Sequence, residues 1–410
     1  MTEGKRYNLR CFECNAHHSL DYQGFNCEKC GGLLEVKFDL TMKTRPWVHR
    51  PLSVWRYEEL LPVEKYRSVV SLGEGGTGLH YCRRLGKKLG LRKLRIKNEG
   101  ENPTGSFKDR GMTVAVSRAV ELRKKTVICA STGNTGASLA AYSAKAGLNC
   151  MVLVPRGKVA PGKMVQVIIH GARVVQVKGN FDQALDSVIR LTKEHKGLYL
   201  MNSLNPFRLE GQKTLAYEIT DQLAGIAPDF VILPVGNGGN ISAAWKGFGE
   251  FRELGMTRGT PRMVGIQAEK SAPIVRAIRR REVRLTPLQN PETIATAIRI
   301  GSPVNWAKVL RAIRESKGIA ESVTDEEILE AQRDLARYEG IFVEPAGAAP
   351  VAGITRMIKN GTIDRSDLVV CVATGHGLKD PSIADRIARS SPTFDVEYGV
   401  SLSRTVERIS

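Results

Sequence analysis

The chain has 410 residues, 42% of them hydrophobic and 25% charged, which is enough apolar material for two domains with their own cores and too much for a disordered chain. Its formal charge of +19 would suit nucleic acid, an anionic membrane or a polyanionic substrate. The basic runs at 83–97, 123–125 and 276–284 lie far apart, and aromatics form only 6% of the chain, too few for an extended base-stacking platform.

The start, MTEGKRYNLRC, lacks the apolar stretch of a secretion signal, and no later run approaches a membrane span in length. A cytoplasmic protein with no membrane partner is expected. Four of the eight cysteines, Cys11, Cys14, Cys27 and Cys30, form two Cys-x2-Cys knuckles separated by twelve residues. Each knuckle can turn both sulfurs toward one ion, so residues 1–45 read as a zinc-ribbon-like segment with a structural Zn²⁺ on four thiolates. Four thiolates leave no open position for catalysis. His17 and His18 read as exposed loop residues beside a ligand set that is already complete.

Residues 101–112, ENPTGSFKDRGM, set Lys108 between a Pro-Gly turn and a run of helix formers. From about residue 126 the pattern becomes apolar strand, glycine-bearing turn and amphipathic helix: TVICAS, LNCMVLVP, ARVVQVK and GLYLM alternate with helical segments. This alternation predicts parallel sheet covered on both faces. DFVILPV, RMVGIQA and DLVVCVA predict a second sheet, with TDEEILEAQRDLARYEG as a helix capped by Thr324. Ligands in such sheets sit where strand ends feed helix starts. Three turns have that placement: STGNTGAS (131–138), PVGNGGN (234–240) and ATGHGLKD (373–380). Together they predict an anion-binding cleft. A lysine in a dry, anion-binding cleft loses its proton readily and condenses with an aldehyde, and the aldehyde cofactor that also needs a phosphate cradle is pyridoxal 5′-phosphate. SFKDR alone leaves open whether Lys108 is instead a surface lysine at a helix start.

The stretches SLGEGGTGL, KNEGENPTGSFKDRGM, ASTGNTGAS, NSLNPFRLEGQKT, PVGNGGNI, ETIATAIRIG, EPAGAA and TGHGLKDP follow one another in the order of one family. On these residues the chain resembles the threonine synthases, fold-type II pyridoxal-phosphate enzymes, over nearly its whole length. The resemblance implies two three-layer α/β domains: a larger cofactor-binding one from residues 46–110 and 205–390, and a smaller one from 111–204, followed by a tail at 391–410. It implies that Lys108 binds the cofactor covalently and shuttles the substrate's α-proton. Asn134 is implied to meet the cofactor's 3′-oxygen, Gly236, Asn237, Gly238, Gly239 and Asn240 its phosphate, and Thr374 its pyridine nitrogen. Ser131 and Thr132 are implied for the substrate carboxylate, and Ser203, Arg208, Thr135 and Asn237 for its phosphate.

The implied reaction converts O-phospho-L-homoserine and water to L-threonine and phosphate, in a homodimer. Gly78 stands where relatives often have proline, and Gly136 where they often have serine or alanine. One methylene separates this substrate from O-phosphoserine, so a cysteate-synthase-type β-replacement is an alternative that a single sequence does not separate. From a different class, a basic zinc-ribbon protein that binds nucleic acid is the other alternative, disfavoured by the scattered charge.

Overall fold

The computed structural model of the chain describes residues 7–22, 24–41, 45–157, 161–179, 181–381 and 383; the tail read at 391–410 lies outside them. The chain opens with a small antiparallel sheet. Its central strand β1 (Tyr7–Cys11) is flanked by β2 (His17–His18) and β3 (Leu34–Phe38). Leu9, Leu34 and Val36 alternate inward along β1 and β3, as a sheet with one wet face requires.

A larger sheet then begins with β4 (Leu79–Tyr81), helix α1 (Arg83–Leu89) and β5 (Lys93–Asn98), which leads through a short loop into α2 (Lys108–Glu121). Next comes a complete inserted unit: β6 (Thr126–Ala130), α3 (Asn134–Ala146), β7 (Asn149–Pro155), α4 (Pro161–Ile169), β8 (Arg173–Val177), α5 (Phe181–Glu194) and β9 (Leu198–Leu200). Its four strands are all parallel, in the order β8-β7-β6-β9.

The chain returns through α6 (Pro206–Gln212), α7 (Thr214–Gln222), β10 (Phe230–Pro234), α8 (Gly239–Glu253), β11 (Arg262–Ala268), α9 (Pro273–Arg279) and α10 (Trp306–Glu315). It finishes with β12 (Ile319–Val323), α11 (Asp325–Glu339), α12 (Pro345–Lys359) and β13 (Leu368–Ala373). The six-stranded order is β12-β11-β10-β13-β5-β4, parallel except for the β4 edge. β5 and β13, far apart in sequence, are neighbours, so the four-stranded unit is an insertion between two halves of one sheet. Helix α2, at Lys108–Glu121, runs across residues 110 and 111, so the expected division between the domains falls inside a helix.

β10 is buried at every residue, and one core packs on each face of the large sheet. This is why its strands read as continuous apolar runs. Local signals agree with the packing: Thr324 and Glu327 form a reciprocal capping box at the start of α11, and Gly340 ends it in the left-handed conformation.

Arg110 on α2, Glu99 after β5, Glu218 on α7 and Lys97 on β5 form a buried charge cluster. Arg110 donates to both carboxylates at 2.6–2.8 Å, and Lys97 to Glu218 at 2.8 Å. The cluster fixes the first turn of α2, and therefore Lys108, against the large sheet.

Candidate active site

The carboxyl ends of β6, β10 and β13 and the starts of α2, α3 and α8 enclose a cavity of about 310 Å³. Lys108, Ser131, Thr132, Asn134, Thr135, Ser203, Gly236, Asn237, Gly238, Gly239, Asn240 and Thr374 all line it. Arg208 is the exception among the residues singled out in the sequence. Its guanidinium is buried outside the lining, near enough that its charge acts on Lys108.

Lys108 is the first residue of α2, where the positive end of a helix already disfavours a cation. Burial, and then the charge of Arg208, push its amine down to about 7, with Glu344 pulling the other way. A large share of the amine is therefore neutral at physiological pH, the form needed by a nucleophile or a base.

The glycine turn before α8 is built for close approach. A side chain at Gly236 would come within 3.0 Å of the Ala297 carbonyl. Gly238 has φ +80, and a Cβ there would meet Val309 Cγ2 at 2.3 Å. Helix α8 starts without a side-chain cap, leaving its first amides for an anion. Both polar atoms of the buried Asn240 side chain lack partners among the described residues. These features fit the phosphate of pyridoxal phosphate, and Lys108 fits its aldehyde.

Other side chains are already engaged. The Ser131 hydroxyl accepts the amides of Gly133 (3.2 Å) and Gly136 (2.9 Å), bracing the turn into α3. A Cβ at Gly136 would lie 3.2 Å from Val152 Cγ1, so little room exists there for a larger residue. The Gly78 amide donates to Glu101 at 2.6 Å, a bond that proline could not make.

Glu344, at the start of α12, was missed as a site residue. Its carboxylate accepts from the Asn134 amide at 2.9 and 3.1 Å and from the Thr374 hydroxyl at 3.4 Å. Burial pushes the Glu344 carboxyl up. Lys379, which also lines the cavity, donates to the Thr104 carbonyl at 2.9 Å and to Gln166 of α4. Gln212 and residues 296–300 also line the cavity. The stretches EPAGAA, NSLNPFRLEGQKT, ETIATAIRIG and TGHGLKDP were visible signals for these residues, but nothing local to them assigns a role.

The four N-terminal cysteines meet. Cys11 and Cys30 sulfurs lie 3.4 Å apart, those of Cys14 and Cys27 3.7 Å apart, and all four fall within 4.8 Å of one another. Sulfurs about 2.3 Å from a tetrahedral zinc ion are separated by about 3.8 Å, so the donor set fits Zn²⁺. His18 lies in β2, not in a free loop, and its Nε2 sits 3.3 Å from Cys27 Sγ. It contacts a candidate ligand without joining the four-sulfur cluster.

The family model described as pyridoxal-phosphate dependent enzyme matches residues 70–375. A threonine synthase of Methanocaldococcus jannaschii is 56% identical over 396 residues, covering 95% of this chain and 97% of that one. One of Methanosarcina acetivorans is 57% identical over 392 residues, covering 95% and 96%. Among solved structures, a threonine deaminase isoform of Solanum lycopersicum shares the fold at TM-score 0.65 and 22% identity, covering 86% of this chain and 99% of that one. Among the described residues no helix is long and apolar enough to cross a membrane.

Proposed function

The chain belongs to the threonine synthase family of pyridoxal-phosphate-dependent enzymes, and from that premise we propose which of its residues carry the reaction. The substrate in this reading is O-phospho-L-homoserine, converted with water to L-threonine and phosphate. Pyridoxal phosphate, when bound, offers its aldehyde to the amine and draws off the charge that develops at the substrate's α-carbon.

Lys108 binds the cofactor and, once released, holds and moves the α-proton on its Nζ. The depressed basicity of its amine supports both tasks. Gly236, Gly238, Gly239 and Asn240 hold the cofactor's phosphate, with Asn237 beside them. Asn134 would meet the cofactor's 3′-oxygen and Thr374 its pyridine nitrogen, both side chains being held by the Glu344 carboxylate. Thr132, with Ser131, takes the substrate carboxylate. Ser203, Thr135, Asn237 and Arg208 take its phosphate, Arg208 reaching forward from its buried position as a planar fork.

The observation that carries the assignment is the unpartnered Arg208: Nε and Nη2 are buried with no acceptor among the described residues, so the site holds a cation waiting for an anion. Zn²⁺ on Cys11, Cys14, Cys27 and Cys30 and a cytoplasmic homodimer belong to the same reading. The experiment is phosphate release by the cofactor-loaded protein with amino-acid products identified, and O-phosphoserine plus sulfite run in parallel. Threonine appearing mole for mole with phosphate is expected. Cysteate in the parallel tube without threonine in the first would move the substrate to O-phosphoserine.

A further inference from the structure

Helix α6 is only seven residues long, and all seven are buried. A helix this short has no stability of its own in water, so the direction of Arg208 is set by what grips α6 from either side. On one side α6 lies against α2, so close that a Cβ at Gly211 would overlap the Arg110 carbonyl at 1.8 Å. On the other side stands the N-terminal ribbon. Phe207, the residue next to Arg208, is 3% exposed and is a member of the ribbon's own core, with Tyr7, Leu9, Cys11, Cys27, Leu34 and Val36.

Polar contacts close the same joint. Lys246 on α8 donates both to the Val36 carbonyl of β3 and to Glu210 of α6. Lys308 on α10 donates to the Leu34 carbonyl at 3.0 Å. Arg118 of α2 donates to the Leu20 carbonyl at 3.0 Å and lies 5.3 Å from the Phe207 ring centroid.

We propose that the four-cysteine ribbon is a brace for substrate binding: through Phe207 it sets the position of α6 and holds Arg208 where it can receive the substrate's phosphate. Phe207 is then a positioning residue that never touches the substrate. Two candidate metal ligands, Cys11 and Cys27, pack in the same cluster as Phe207. A three-stranded sheet of this size has too small a core to hold its shape alone. Ordering of the ribbon by its metal is thereby passed most directly to α6, whose Phe207 lies in the ribbon's core, whereas the glycine turn before α8 contributes no residue to that core. The inference rests on the reading of Arg208 as the arm for the substrate's phosphate.

The test is calorimetric titration of the cofactor-loaded enzyme with inorganic phosphate. It compares wild type, a chelator-stripped sample with metal content measured, Phe207→Ala, Phe207→Leu and Arg208→Met. Stripping and Phe207→Ala are expected to weaken phosphate binding by about tenfold or more, the loss of a charge-assisted hydrogen bond. They should raise KM for the phosphorylated substrate more than they lower kcat and leave the cofactor's absorption band in place. Phe207→Leu, which refills the ribbon core, is expected to restore most of the affinity.

If Arg208→Met loses phosphate while both the stripped enzyme and Phe207→Ala keep it, the brace is wrong and the Arg208 reading stands. If Arg208→Met binds phosphate as wild type does, the reading beneath the inference fails and the brace falls with it.

Discussion

Arg110 and Arg208 sit on helices that pack against each other, α2 and α6, and are buried alike, at 0% and 1% exposure. Arg110 is saturated: Glu99 and Glu218 take its charge, and the hydroxyls of Thr77 and Thr214 accept further bonds at 3.1 and 3.2 Å. Those carboxylates outweigh its burial and hold its pKa well above the ordinary guanidinium value. Among the described residues no carboxylate pairs with Arg208, and burial pushes its pKa down to about 10. A buried cation costs several kcal/mol unless it is paired, and the fold has met that cost for only one of the two. The paired one belongs to the scaffold. The unpaired one is a cost left open for a ligand.

The comparison breaks most visibly at Arg110. Arg110→Leu strands two buried carboxylates, of which Glu218 keeps the Lys97 cation and Glu99 keeps neutral donors, and the expected loss is about 3–5 kcal/mol of stability, read as a large drop in the denaturant midpoint. The next largest effect is on substrate. Arg208→Met should cut kcat/KM for O-phospho-L-homoserine by at least about 10- to 100-fold, the worth of a charged hydrogen bond, measured by coupled phosphate release.

A further effect appears in pH dependence. Lys108 has a folded pKa of about 7 against an ordinary value of 10.5, so the unfolded chain binds more protons between those limits. Stability of the cofactor-free protein should therefore rise with pH from about 7 toward about 10.4 and level off above it. Removing the neighbouring charge with Arg208→Met should move the lower edge of that window upward, as seen in unfolding midpoints across pH. The smallest effect sharpens the contrast from outside: Arg279 pairs with Glu321 at 2.6 Å, but its side chain is 60% exposed. Arg279→Ala should change stability by less than about 1 kcal/mol, showing that pairing matters only where water is excluded.

The same contrast explains what could be read from the amino-acid sequence. The parallel sheets were legible because strands such as Phe230–Pro234 are buried on both faces and carry an unbroken apolar run. The glycine turn at 236–239 was legible because close backbone approach leaves no choice of residue there. Strand order was not: β5 pairs with β13 across the inserted four-stranded unit, and no local pattern encodes that. Arg110 stood in the quoted SFKDRGM stretch without a role, because one of its partners, Glu218, is 108 residues away. Glu344 was hidden for the same reason, since it orients Asn134 from 210 residues downstream. His18 read as a loop residue because its partner Cys27 is brought to it only by the folding of the ribbon. Whether a cation is satisfied is a property of three-dimensional neighbours, and the two arginines look equivalent until those neighbours are known.

The most direct test of the central claim is the unfolding midpoint of cofactor-loaded Arg208→Met in phosphate-free buffer, beside wild type. If Arg208 is a charge kept unpaired for the substrate, replacing it with an apolar side chain of similar length removes a desolvation cost, and the midpoint should hold or rise. A fall comparable to that of Arg110→Leu would mean that Arg208 has structural partners and is part of the scaffold, contradicting the account.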